Sequence, residues 1–305
     1  MNPKLDSYPT RGETEIILER PDPIVFGERD KQSPLGLDPE QIDLYEKNGF
    51  LIFPAFFSPH EVKLFIEELH RIRELPELQE RQEVIREPGN AVVRSIFNPH
   101  GFSSLFDRLS RDHRILDKVT QLLGSPVYIH HGRINIKSAY HGKSFPWHSD
   151  FETWHAEDGV PRCRMLTGWL MLTTNNEFNG PIYLVPGSHK RFVSCAGKTP
   201  REHHKASLRK QEYGIPSAKS IRELVEQGGL IGAYGSPGTL MFHEANIMHG
   251  SPDNISPWDR INLMFVYNSV ENTPEDEPFG AQNPRPEFLR NTNFTPLESV
   301  ENHFQ

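Results

Sequence analysis

The sequence predicts a mainly β fold buttressed by α-helices, a sandwich or jelly roll whose helices gather in the first third of the chain. Three observations carry this. Helix signals with clean ends lie before about residue 124. Beyond it, short alternating apolar stretches recur at close spacing. Turn-rich pieces such as Asn175-Asn176, Asn179-Gly180-Pro181 and Pro186-Gly187-Ser188 separate them. At 305 residues and 36% hydrophobic, the chain has apolar material for a sizeable core, and length alone admits one large domain or two small ones.

In chain order, residues 1–38 are rich in proline and charge and read as an extended arm packed over the body. A short helix is expected at 38–47, after which Gly49 turns the chain into the apolar strand FLIFPAFF. A second helix opens at Ser58-Pro59-His60-Glu61, with Ser58 as N-cap, proline at the first helical position and Glu61 reaching back. Val62, Phe65, Ile66 and Leu69 follow at helical spacing. A third helix is expected from 103 to 123, stopped by Gly124. Strands are expected at 127–137, 165–174, 182–185, 238–243 and 260–267. The basic stretch 197–216, GKTPREHHKASLRKQEYGIP, is too long for a tight hairpin and is either a solvated loop or a lid over a site.

Composition narrows the function classes. A net charge of -8 with no basic stripe argues against nucleic acid, and no apolar run approaches a membrane span. The N-terminus lacks the apolar core of a secretory signal. Two cysteines, Cys163 and Cys195, make no disulfide framework and fit free thiols in a reducing compartment. These features predict a cytoplasmic protein with a small-molecule substrate and no nucleic-acid or membrane partner; a homodimer is left open.

Trp147-His148-Ser149-Asp150 is the strongest local signal for chemistry. On a strand, residues two apart share a face, so His148 and Asp150 converge while Ser149 points away. A second histidine region, 243–250 (HEANIMHG), follows about a hundred residues later. Two histidines and one carboxylate with open positions are the facial triad of non-heme iron(II) oxygenases, which leave room for a 2-oxo acid and dioxygen. Eleven residues past His249, Arg260 opens the strand RINLMFVYN, where a guanidinium fork suits the far carboxylate of 2-oxoglutarate. On strand 127–137, His131, Arg133, Asn135 and Lys137 alternate on one side, with Tyr128, His130, Ile134 and Ile136 on the other. Such a polar stripe is either a solvent-facing edge or the wall of a pocket for a charged molecule.

The segment FPWHSDFETWHAEDGVP closely resembles the signature of bacterial ectoine hydroxylases, within the phytanoyl-CoA dioxygenase superfamily. DLYEKNGFLIFPAFFSPHEV, IHHGRINIK, NGPIYLVPGSHKRF, MHGSPDNISPWDRINLMFVYN and the N-terminal SYPTRGETEIILERPDPIVFG are also similar, so the likeness covers nearly the whole chain. The resemblance implies a double-stranded β-helix core across a single 1–305 domain. It also implies iron(II), with 2-oxoglutarate and O2 as cosubstrates, and hydroxylation of a small zwitterionic molecule. By position it assigns iron to His148, Asp150 and His249. It sets Lys137, Arg260 and Ser251 around 2-oxoglutarate, with Asn135 on the same stripe, and Trp154 beside the active site. It also favours the pocket-wall reading of the stripe.

Departures from that pattern bear on the substrate. Ectoine hydroxylases carry glutamine at the position of His131, phenylalanines at those of His243 and Met264, and small residues at those of Met165 and Thr167. Aromatic faces suit ectoine's delocalised cationic ring; imidazoles and methionines change that preference. The expectation is therefore a free amino acid of the proline, pipecolate or basic type. Its carboxylate would be met by His131, His243 or Arg133 and its ammonium by Glu152 or Asp158. Ectoine 5-hydroxylation is the alternative. A zinc hydrolase is disfavoured because no general-base motif is present and Arg260 would have no role. A halogenase would lack the carboxylate ligand that Asp150 supplies. A β-sandwich binding protein with a vestigial site is the non-enzyme alternative.

Overall fold

The arm enters the fold as a strand: β1 (Ile16–Glu19) pairs antiparallel with β9 (Arg191–Ser194). The computed structural model describes residues 6–29, 33–78, 80–87, 89, 91–208, 211–301 and 304. Helix α1 (Pro39–Asn48) starts on a capping box between Asp38 and Gln41 and stops at Gly49, whose φ of 83° is left-handed. β2 (Phe50–Phe53) follows directly. α2 (Pro59–Glu74) begins on the Ser58–Glu61 capping box and buries Val62, Phe65, Leu69 and Ile72.

β3 (Val84–Arg86) and β4 (Val93–Phe97) form a hairpin. The single helix expected at 103–123 is instead broken. After α3 (Pro99–Phe102), α4 (Ser104–Ser110) ends and α5 (His113–Leu123) restarts, because the Asp112 carboxylate accepts from Arg114 N and caps a new helix.

β5 (Val127–Lys137) matches its expected span, while β6 (Phe145–His148) gives way at once to α6 (Asp150–Thr153). β7 (Met165–Met171) ends earlier than expected and β8 is only Tyr183–Leu184. Within 197–216 lies α7 (His204–Ser207). α8 (Ala218–Gly228), β10 (Ile231–Gly232), β11 (Leu240–Glu244), β12 (His249–Ser251) and β13 (Arg260–Ser269) complete the order.

Two antiparallel sheets make the jelly roll. One runs β2-β11-β7-β13-β5-β4-β3 and the other β10-β8-β12-β6. The outer face of the larger sheet carries Ile134, Ile136, Leu263, Phe265 and Tyr267 into one apolar core with α2, α4 and α5. Strand alternation therefore turns Arg133, Asn135, Lys137, Arg260 and Met264 to the inner face, where they meet His148, His249 and Ser251 of the smaller sheet. A register shift between Val266 and Tyr267, opposite His131 and Ile129, breaks the alternation of β5. Ile129 thus joins the helix-side core, and His130 turns to Asp158 instead. Among the described residues no helix is long and apolar enough to cross a membrane.

Candidate active site

β6 and β12 are neighbours in the smaller sheet, and their register sets His148 directly opposite His249, with ring centroids 4.2 Å apart. Asp150 reaches the same point by a turn, not by strand alternation as expected. Ser149 keeps extended dihedrals (φ -106°, ψ 130°) and caps α6, and Asp150 is the first helical residue. Its carboxylate lies 3.4 Å from His148 Nε2 and 3.9 Å from His249 Nε2. One ligand atom from each residue falls within 4.8 Å of the others, the arrangement that holds a metal ion.

Both imidazoles are pre-set for that task. His148 Nδ1 donates to the Pro146 carbonyl at 2.8 Å and His249 Nδ1 to that of Ile247 at 3.0 Å, so each Nε2 is left as a lone pair. Burial, reinforced by His148, pulls His249 down to about 3, and it stays the neutral ligand a metal requires. Burial alone would push the Asp150 carboxyl up, but His249 and His148 hold it below the usual carboxylate range.

Beside the triad the cavity wall is cationic. Arg260 is 1% exposed, and its partners are neutral amides: Nη2 donates to Asn135 Oδ1 at 2.9 Å, and Nη1 meets Asn262 Oδ1 at 2.7 Å once that amide is turned to face it. Its Nε has no partner among the described residues. Burial, with repulsion from Arg133 and Arg94, pulls it down to about 9. Lys137 donates to Ser251 Oγ (2.7 Å) and the Pro252 carbonyl (2.5 Å), and burial beside Arg260 and Arg94 drops it to about 6. Arg94 alone has its own acid, Glu87, at 3.0 Å to both oxygens. Buried Lys137 and Arg260, with half-buried Arg133 beside them, have no carboxylate of their own among the described residues and call for an anionic ligand. Their place next to three convergent metal donors fits a 2-oxo dicarboxylate held by iron(II) and by this wall.

His131, Arg133 and Trp154 line the metal-side cavity, and Met264 lines its cosubstrate end. Thr167 and His243 face each other across β7 and β11, each with a buried atom (Oγ1 and Nε2) that has no partner among the described residues, and the His243 ring lies 5.1 Å from that of His249.

Three residues expected to meet the substrate are engaged elsewhere in the protein. Glu152 is held by Arg11 (2.6 and 2.9 Å) and Thr10 (2.7 Å). Asp158 is held by Arg285 (2.7 and 2.6 Å) and His130 (2.9 Å). Met165 sits in the apolar cluster of Tyr8, Phe151 and Trp154 and is not at the cavity wall. Arg94, Phe145 and Trp169 line the cavity as well, beyond the residues expected from the sequence. Alternation from Thr167 would have found Trp169, whereas nothing local marks Arg94. From the 197–216 stretch, Leu208, Gln211 and Tyr213 reach the cavity beside Asp150.

The phytanoyl-CoA dioxygenase (PhyH) family profile matches residues 45–262. The chain belongs to this family. It is 47% identical over 290 residues to the ectoine dioxygenase of Bordetella bronchiseptica, covering 95% of this chain and 93% of that protein. It is 43% identical over 295 residues to that of Stutzerimonas stutzeri, covering 96% and 97%. Its structure is similar to that of EctD from S. alaskensis with 2-oxoglutarate and 5-hydroxyectoine, with TM-score 0.88, 34% identity and coverage of 98% and 99%. An EctD structure with bound Fe matches at TM-score 0.86. Family and site agree: this is a 2-oxoglutarate-dependent dioxygenase with a His-Asp-His site for iron.

Proposed function

We propose that the chain hydroxylates ectoine to 5-hydroxyectoine. The observation that carries the reading is the buried cationic wall ending at the triad, in a chain whose near full-length relatives are ectoine dioxygenases. Of the two substrate readings drawn from the sequence, the relatives support ectoine over a free amino acid. The amino-acid reading also loses its ammonium partners, since Glu152 and Asp158 are bound within the protein.

His148, Asp150 and His249 would hold the metal. Iron(II) bound there supplies the oxidative chemistry: one oxygen atom of O2 goes to 2-oxoglutarate, giving succinate and CO2, and the other enters the substrate C–H bond. The protein's own work is positioning. The Pro146 and Ile247 carbonyls lock both imidazoles in the ligating tautomer. Arg260 takes the far carboxylate of 2-oxoglutarate with Lys137 and Ser251 beside it, while Asn135 steers the guanidinium without neutralising it. The Trp154 ring, edge-on to His131 at 5.7 Å, offers a π-face to the ring cation of ectoine. Met264 lines the cosubstrate end, Thr167 and His243 stand behind His249, and Leu208, Gln211 and Tyr213 cover the metal-side cavity against water. We take 1–305 as one catalytic unit, supported by Arg11 and Arg20 of the arm, which are ion-paired inside the body with Glu152 and Glu244. A cytoplasmic setting is supported by two free, buried cysteines.

The test is a comparison of kcat/KM for ectoine, proline, pipecolate, lysine, arginine and citrulline with iron(II) and saturating 2-oxoglutarate. Ectoine should lead the set; an amino acid hydroxylated more efficiently than ectoine would overturn the reading.

A further inference from the structure

A second chamber of about 670 Å³ opens between the stretches 199–204 and 281–286, a size typical of small-molecule sites. It meets the metal-side cavity at two residues, Glu157 and Arg285. Their charges are not equally committed. Arg285 gives Nε and Nη2 to Asp158, whereas among the described residues the Glu157 carboxylate accepts only from Arg11 Nη2, at 3.2 Å to Oε1. Among the described residues nothing bonds Glu157 Oε2. The wall between the chambers thus offers a cation one free carboxylate oxygen of a buried side chain, while the arginine beside it is matched by its own acid. Burial pushes the Glu157 carboxyl up, against the pull of Arg285 and Arg11, so a further positive charge there would be welcome.

A separate observation points to a ligand. His203, on the chamber's outer wall, is 7% exposed, and its Nε2 has no partner among the described residues. Its ring is fixed edge-on against Tyr213 at 4.8 Å, and Tyr213 itself lines the inner cavity. A buried polar atom left unpaired is costly, and this one stands at the border of the chamber, where a partner would enter.

We propose that Glu157 is a specificity-determining residue, which receives the cationic half of a small zwitterion as it passes from this outer chamber to the metal. The assignment rests on the ectoine reading and adds the route and the residue that selects for positive charge.

Glu157→Gln keeps the size and an oxygen for Arg11 but removes the charge. It should lower kcat/KM for ectoine about tenfold, which is about 1.4 kcal/mol, through KM. kcat should stay within about twofold and the KM for 2-oxoglutarate should not change. Ala281→Trp, which fills the outer chamber and leaves Glu157 untouched, should also lower kcat/KM for ectoine. Turnover of 2-oxoglutarate measured without ectoine should stay unchanged. Wild-type kcat/KM in both variants overturns the proposal. So does a Glu157→Gln enzyme that loses Tm, kcat and 2-oxoglutarate affinity together, since that marks a strut for Arg11. If the wild type does not oxidise ectoine at all, the substrate reading falls and this assignment falls with it.

Discussion

Arg260 holds a charge that the protein alone does not satisfy, and replacing it should separate stability from function. The guanidinium is 1% exposed, is contacted by two neutral amides and is repelled by Arg133 and Arg94, which with burial brings it to about 9. A base whose folded pKa is depressed destabilises the fold at every pH below that value. Here the cost at neutral pH is on the order of 5 kcal/mol. Arg260→Met keeps the length and removes the charge. By analogy with buried charges replaced by apolar side chains, the ligand-free variant should gain about 1–4 kcal/mol. At about 2–4 °C per kcal/mol, its Tm should rise by several degrees. Binding should move the other way. Two charge-assisted bonds at about 1.5–3 kcal/mol each are lost, and the KM for 2-oxoglutarate should rise at least about 100-fold. Arg260→Lys keeps the charge without the fork and should recover part of that loss. Thermal melts with and without 2-oxoglutarate, paired with initial rates, read both effects. A Met variant whose KM stays within threefold of wild type, or whose ligand-free Tm falls, would refute the reasoning.

Three further outcomes follow from the same geometry. His148→Ala, Asp150→Ala and His249→Ala should each abolish hydroxylation and cut bound iron measured by elemental analysis; a variant that keeps full iron content would move the metal elsewhere. Lys137, lowered to about 6, binds fewer protons folded than unfolded between there and its ordinary 10.5, so its contribution to ligand-free stability rises with pH across that window. Urea melts from pH 6.5 to 9 should show a flatter stability profile in Lys137→Met than in wild type, and an unchanged slope would contradict the assignment. Arg11→Ala should cost about 3–5 kcal/mol by leaving Glu152 buried and unpaired. Arg11→Met combined with Glu152→Leu and Glu157→Gln, which removes both buried charges that Arg11 faces, should be far milder in the same denaturation assay, and equal losses in both would deny the pairing.

What the sequence revealed was local. Asp38 and Ser58 announce their helices because a capping box is written within four residues. The stripe on β5 and the fork at Arg260 were legible because strand alternation is a property of the backbone. The break at Asp112 was missed because an apolar helical pattern runs across it, although an aspartate there is itself a start signal. Ser217 and Gly229, the caps of α8, were equally readable and overlooked. Glu152 and Asp158 looked like site residues from their nearness to Asp150. Their partners, Arg11 and Arg285, lie 141 and 127 residues away, and nothing local announces such pairs. Arg94 was hidden for the same reason: its role exists only once β4 is laid beside β5.

The most direct measurement is turnover of ectoine under ¹⁸O₂ with iron(II) and 2-oxoglutarate, with both products analysed by mass and the hydroxylated carbon located by NMR. The account predicts one labelled oxygen in succinate and one at carbon 5 of ectoine, in equal amounts, lost together in Asp150→Ala. Succinate formed while ectoine is recovered unlabelled, under conditions where another small molecule takes up the second oxygen, would contradict it.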